Sequence, residues 1–557
     1  MTESRLDRGD AVALAALLLV GVGAPLALAA AAGAVGVPSN DDWVYIRGAD
    51  SLYRTGSIAI PGHTAAAVGQ IVLVQPLLWL AGGASWAYTA FGLAMAALGI
   101  VATYLLGRYG AGRRAAVLAA VLVITFPGFA RESASFMTDG PAFALEMLSL
   151  WLGMAWLRSG RRSALAASIL VGVLGVSIRE FAIAAPVAVL AVSLVRSRPG
   201  ERLLILTLAV LGAAAVATVL ALVDSAAING GLGRPPEPVR LILLGPALTT
   251  LAAGLLPALV PAVGRRLASF SPLHLLLGVG LVAIAFSVPT IGPLVGQFWM
   301  PEGLIGNAML SGTRDPLIHP IAWSMSEALA VLAAVLLAAV VVRWAARQLA
   351  GVRTIRAAWK RAGSIAHTPT ALLLAFAIGY VAELGALISM AAYPLDRYLV
   401  PMIPIVAILL ASGAAGAGRP RWSRPLGHAA LAWLGASALV IGANSFAYDA
   451  ARWRAGAAAV GLGYAPETVD AGYEWAGFHR GEPANADSPA RGLTWYWNFL
   501  LAARPCAVLS NSPLDADGYH LVHLDATAYR QYLVVGPSEP LYLYGAVDPA
   551  CPALPAP

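Results

Sequence analysis

The chain has 557 residues, of which 59% are hydrophobic and 12% charged, with a mean hydropathy of +0.74. Roughly a quarter of a soluble globular chain is charged, so this composition excludes a soluble fold and requires a bilayer as solvent. The net charge of +7 does not indicate nucleic acid, because the basic residues sit in short loops that recur after every second apolar run.

Those loops carry Arg108, Arg113 and Arg114; Arg158, Arg161 and Arg162; Arg196, Arg198 and Arg202; Arg265 and Arg266; Arg343 through Arg361; and Arg419, Arg421 and Arg424. The pattern is that of cytoplasmic loops. It predicts a cytoplasmic N-terminus, marked by Arg5 and Arg8, in a multi-pass protein of the cytoplasmic (inner) membrane. The first apolar run, residues 11–35, is too long for the core of a signal peptide and reads as a retained spanning helix. By length and loop charge the chain predicts about 13 transmembrane helices, over residues 11–35, 85–107, 115–131, 139–157, 163–179, 182–196, 203–223, 240–263, 271–291, 322–343, 370–392, 398–416 and 427–445. Residues 1–445 form the membrane module. Residues 36–84 make a first outer loop with helices lying on the membrane, and 292–321 a second. Residues 446–557 carry no spanning run and make an extracytoplasmic C-terminal domain, where Cys506 and Cys551 are expected to pair as a disulfide.

Between the first two spans lies "PSNDDWVYIRGADSLYRTG", residues 38–56. Asp41 and Asp42 directly follow the first helix, and Trp43 and Tyr45 are suited to fix their depth at the interface. A carboxylate there can act as a general base, hold a cation, or be a solvated loop charge. In "SFMTDGPAFALE", residues 135–146, Asp139 opens the fourth span. It can face the same cavity as Asp41, or Thr138 or Asp139 can cap the helix ahead of Pro141. Glu146 lies two turns further, inside the membrane. In "VSIREFAIAAP", residues 176–186, Arg179 and Glu180 interrupt two apolar helices. Arg179 suits a lipid phosphate, or pairs locally with Glu180 or Glu146. In "YPLDRYLVPMIPI", residues 393–405, Asp396 and Arg397 open the twelfth span, which Pro401 and Pro404 should bend. Glu327 and Glu383 are further acids within spans. No phosphate-binding glycine loop, zinc spacing or serine-nucleophile elbow is present, and His63, His319, His479, His520 and His523 are scattered.

In this order the motifs resemble the GT-C superfamily of polyprenyl-phosphate-dependent glycosyltransferases, especially bacterial relatives of protein O-mannosyltransferases and of the aminoarabinose transferases of lipid A. Asp41, Asp42, Tyr45 and Gly56 fall where that family has its acidic pair, tyrosine and glycine. Asp139 matches its acid at the fourth span, Arg179 its basic hairpin residue, and "RYLVPMIP" its Arg-Tyr-Leu-x-Pro stretch through Arg397 and Tyr398. "VDAGYEWAGFH", residues 469–479, resembles a motif in the tail of some bacterial members. One departure is "GQIVLVQPLLWL", where many relatives have Lys-Pro-Pro-Leu; Gln70 or Gln75 takes the lysine's part of the pocket.

The resemblance implies an inverting transfer of a sugar from a polyprenyl-phosphate donor to a hydroxyl of a cell-envelope glycan, lipid or protein. Asp41 would be the general base, and Arg179 and Arg397 would bind the donor phosphate. Asp42 and Asp139 would orient the base, bind sugar hydroxyls or hold a divalent cation; Tyr45, Gln70, Glu180 and Tyr398 would line the substrate pocket. Two other classes fit the composition: a secondary transporter or flippase relaying protons through Glu146, Glu327 and Glu383, and a membrane scaffold whose tail binds glycan or protein. The alanine-rich, arginine-over-lysine composition points to a bacterial chain.

Overall fold

The computed structural model describes residues 6–60, 65–222, 238–264, 270–285, 292–304, 309–350, 368, 370–390, 394–413, 421–479, 493–494, 496–500, 504–522, 528–534 and 538–552. Arg265, Arg266, residues 351–361 of the fifth basic group, Arg419, His63 and His523 lie outside the described residues.

The protein is a multi-pass helical membrane protein. Among the described residues seven helices are long and apolar enough to cross a bilayer: Arg8–Ala32, Trp86–Ala111, Asp139–Ser159, Gly200–Val219, Pro320–Gln348, Thr370–Ser389 and Ser423–Gly461. Arg240–Gly254 and Leu256–Gly264 form a pair bent by 76°. Several expected spans are shorter than the roughly 20 residues a bilayer needs, and local chemistry explains why. The run at 115–131 is broken: the helix Arg113–Ile124 stops before Pro127 and Gly128, the latter at φ 98°, and a short helix resumes at Phe129–Ser133. The run at 182–196 begins only at Ala184, after a 3-10 turn over Glu180–Ile183. Pro401 and Pro404 do not bend the twelfth helix. Pro401 stands immediately before Met402–Ser412 and Pro404 falls in its first turn, where a missing N–H costs nothing.

The first helix starts with a capping box, Asp7 and Asp10 each bonding the other's backbone N–H. It passes through a π-helical turn at Leu19–Gly23 just ahead of Pro25, whose ring cannot donate to the preceding turn. The buried Asp10 accepts from Tyr104 Oη (2.7 Å), Arg108 Nε (3.1 Å) and Arg113 Nε (2.8 Å). This stitches the first helix to the next two at the arginine-rich end. Trp86–Ala111 packs on its neighbours through Gly92, Gly99 and Gly107, where an added Cβ would meet Ser135 O, Phe143 and Ala116 at 2.2, 2.8 and 2.7 Å. Small residues are what let helices approach in lipid, where no hydrophobic force drives them together.

At the opposite end Asp42–Thr55, Val68–Leu73 and Gln75–Leu80 form the first connecting loop. The last long helix does not stop near residue 445 as its sequence suggested. It runs unbroken from Ser423 to Gly461, so the expected domain boundary falls inside one helix. Beyond it lies a four-stranded sheet of β1 (Val469–Asp470), β2 (Ala507–Ser510), β3 (Tyr519–Val522) and β4 (Tyr542–Ala546), in the order β1-β2-β4-β3. β1 is parallel to β2 and the other pairs are antiparallel. The 292–321 loop reaches this sheet: Ser311 bridges to Ser510, and Tyr496 Oη donates to Met309 O at 2.9 Å. A disulfide joins Cys506 to Cys551.

Candidate active site

Asp41 stands at the turn into Asp42–Thr55, yet its side chain makes no hydrogen bond to that helix. It points across to other elements. Its Oδ1 accepts from Tyr473 Oη at 3.2 Å, and its Oδ2 lies 3.4 Å from Arg397 Nη2 and 3.4 Å from Asn40 Nδ2. Its side chain keeps 15% of its surface exposed, against 4% for Arg397 and 7% for Asp139. Asp41 is therefore the acid at the mouth of the cluster, and the others form its floor.

That floor is a charge network. Asp139 Oδ1 lies 3.2 Å from Arg179 Nε, and its Oδ2 lies 3.7 Å from Arg397 Nε. Arg179 Nη1 donates to Thr138 Oγ1 at 2.7 Å, so that hydroxyl is held by the guanidinium and does not cap the helix. Both guanidinium groups lie over the Tyr398 ring, at 5.0 and 5.4 Å. Arg179 thus pairs with Asp139, in place of the Glu180 or Glu146 partner its sequence neighbours suggested. The pairing holds both arginines firmly cationic against their burial. Asp396 aims Arg397: its Oδ2 accepts from the backbone of Gln297, Phe298 and Trp299, and its Oδ1 from Arg397 N at 2.8 Å. Behind the cluster a cavity of about 10 Å³, lined by Glu132, Asp139, Gly140 and Arg397, has room for a single water at most. Burial, with Asp139 nearby, raises the Glu132 carboxyl well above its ordinary value.

Asp42 differs from its neighbour. It is 1% exposed, and its Oδ2 accepts from Ser39 N (3.2 Å) and Phe136 N (3.1 Å). It ties the turn before Asp42–Thr55 to the loop that presents Asp139, and burial lifts its pKa to about 7. Tyr45 is fully buried beneath the same turn. Gln70 donates to Phe136 O at 2.6 Å and Gln75 to Ala49 O and Ile71 O. Both glutamines therefore brace the first loop. Glu180 accepts from Ala66 N at 2.7 Å. Asp41, Asp139, Arg179, Arg397 and Tyr398 converge; Asp42, Tyr45, Gln70 and Glu180 support the segments that carry them. Cys506 and Cys551 fasten the sheet of the C-terminal region. Among the described residues no group of three or more His, Cys, Asp or Glu is arranged to hold a metal ion.

Four residues at this site were not singled out by sequence reasoning, although Glu474 lies within the 469–479 motif. Arg131, Asp449, Arg452 and Glu474 form a fully buried chain of charges under Ser39 and Asn40, with Asp449 2.8 Å from Arg131 Nη2 and 2.5 Å from Arg452 Nη2. The available signal was the Asp449–Arg452 spacing, opposite charges three apart on one helical face.

Residues 72–224 match the family model described as dolichyl-phosphate-mannose-protein mannosyltransferase. That match covers less than a third of the chain. No curated protein matches it by sequence. Among solved structures it is similar to ArnT from Cupriavidus metallidurans bound to undecaprenyl phosphate, at 16% identity and TM-score 0.40, covering 82% of this chain and 72% of that one. The apo state of that ArnT gives 15% identity and TM-score 0.31, over 74% and 77%. Archaeal oligosaccharyltransferase AglB from Archaeoglobus fulgidus, in complex with an inhibitory peptide and a dolichol phosphate, gives 14% identity and TM-score 0.39, over 86% and 64%. Scores this low transfer no residue roles to this chain.

Proposed function

We propose that this protein transfers a sugar from a polyprenyl-phosphate donor to an acceptor hydroxyl at the outer face of the cytoplasmic membrane, with inversion, using Asp41 as general base. The observation that carries the reading is a partly exposed carboxylate, Asp41, paired with the buried Arg397, which Asp139 links to the buried Arg179. A hydroxyl is a poor nucleophile at neutral pH, so its proton must leave as it attacks. Asp41 Oδ2 takes that proton while the hydroxyl oxygen bonds to the anomeric carbon. The bond from that carbon to the phosphate oxygen breaks, and its electron pair leaves with the polyprenyl phosphate. A single displacement inverts the anomeric centre.

Arg179 and Arg397 meet the charge that gathers on the leaving phosphate. Phosphate matches a guanidinium fork bidentately, and their pairing with Asp139 and stacking on Tyr398 hold the two forks in place before substrate arrives. The matched family is itself named for a lipid-phosphate sugar donor. The cytoplasmic placement of the N-terminus and the outward placement of the C-terminal region belong to the same proposal, supported by the arginine-rich loops lying away from Asp41.

The test is Asp41→Asn, which keeps shape and cannot accept a proton. General-base assistance is worth about 10²–10⁴-fold, so turnover with a polyprenyl-phosphate sugar in liposomes should fall by that factor while donor binding persists. Retention of more than about a tenth of wild-type turnover would refute the assignment.

A further inference from the structure

We propose that Glu474, on the C-terminal side of the last long helix, is a positioning residue for Asp41; this rests on the reading of Asp41 as the base. Asn40, the residue before Asp41, has φ 53°, in the left-handed region that is uncommon for non-glycine residues and that asparagine enters more readily than most. Its backbone N–H donates to Glu474 Oε1 at 2.7 Å. Glu474 is fully buried and is fixed in turn by Arg452, whose Nη1 and Nη2 donate to its two oxygens at 2.7 and 3.1 Å. Arg452 continues to Asp449, and Asp449 accepts from Ser39 Oγ at 3.0 Å and Arg131 Nε at 2.9 Å. The two residues ahead of Asp41 are thus each gripped by one member of a single buried charge chain.

The short helix Tyr473–His479 that carries Glu474 grips Asp41 from the other side as well, through the Tyr473 hydroxyl. The helix is seated against Trp43, where a Cβ on Gly477 would lie 2.3 Å from the indole. Since Asp41 has no bond to its own helix, its direction is set by the backbone of Asn40 together with its contacts to Tyr473, Arg397 and the Asn40 side chain. Losing the Asn40 acceptor releases the left-handed turn and swings the carboxylate. A displacement near 1 Å costs about 10²-fold in rate while leaving the arginines that bind the donor in place.

Removing Glu474 alone would strand the buried Arg452, so the test compares two paired variants. Arg452→Met with Glu474→Gln keeps an acceptor for Asn40 N–H; Arg452→Met with Glu474→Leu does not. Transfer from a polyprenyl-phosphate sugar should stay within about 3-fold of wild type in the first. In the second kcat should fall at least about 10-fold with donor KM changed less than about 2-fold. Equal kcat in the two pairs, or a loss confined to KM, overturns the proposal. Hydrogen exchange of the wild-type protein decides independently of whether either pair folds: the Asn40 amide should be protected, and exchange at the rate of an open loop refutes the bond. Asp41→Asn run alongside separates the two readings. An active Asn variant sinks the base assignment, whereas an inactive one beside a fully active Leu pair sinks only the role of Glu474.

Discussion

Asp42 keeps two backbone donors on one oxygen, and burial lifts its pKa to about 7 from the ordinary value near 4. The folded protein therefore binds a proton there that the unfolded chain has already released between roughly pH 4 and 7, and stability from this group is lost as pH rises through that window. Asp42→Asn retains an acceptor for Ser39 N and Phe136 N and carries no charge. Its melting temperature at pH 8 should equal or exceed that of the wild type, and its decline from pH 5 to 8 should be shallower; a steeper decline refutes the burial argument. Arg179→Lys preserves charge but loses both the fork held between Thr138 and Asp139 and the flat stacking on Tyr398. Donor KM should rise about 10-fold or more, and Arg179→Ala should raise it further. The acidic pair and both arginines were legible in the sequence as charges beside apolar runs. The different environments of Asp41 and Asp42 were not, because adjacent residues at a helix start differ in burial only through what packs on the turn.

The helix Tyr473–His479 is only seven residues long, yet it docks on Trp43 through Gly477 and presents both Tyr473 and Glu474. Gly477→Ala would force its Cβ against the indole. Overpacking of this kind costs about 1–3 kcal/mol, and turnover should fall with the thermal stability because the same helix holds the turn before Asp41. A variant matching wild type in both would refute the docking role. The Cys506–Cys551 link spans 45 residues of the sheet-bearing region. Replacing both by serine should cost about 2–4 kcal/mol by the loop-entropy relation, read as an earlier unfolding transition in calorimetry. The long apolar runs were readable by length and charge alone. Helix ends were less so: Pro401 read as a bend because sequence does not reveal where the preceding turn stops, and the last span was ended at 445 by apolar length, which does not register that the helix continues past Asp449 and Arg452. Each is in fact neutralised inside the protein.

Across the whole molecule, the arginine-rich ends gathered around Asp10 lie away from the end that carries Asp41. Single cysteines at the exposed positions Ser57 and Ser159 should label from opposite sides of the membrane in sealed vesicles; labelling from one side would overturn the proposed orientation. The broad architecture was legible because lipid imposes length and charge rules on every span. The joining of the C-terminal region to the first loop was not, since it depends on pairings such as Asn40 with Glu474, 434 positions apart. That separation has a meaning in time. At about 5–20 residues per second a ribosome needs roughly 20–90 s to travel from one to the other. Throughout that interval the first loop exists while the Glu474 acceptor for its left-handed turn has not been made. A nascent chain therefore carries every charged group of the cluster from the first loop through Arg179 without the geometry to use them. On the proposed function, the site becomes competent only once the segment that carries Glu474 has been made and docked.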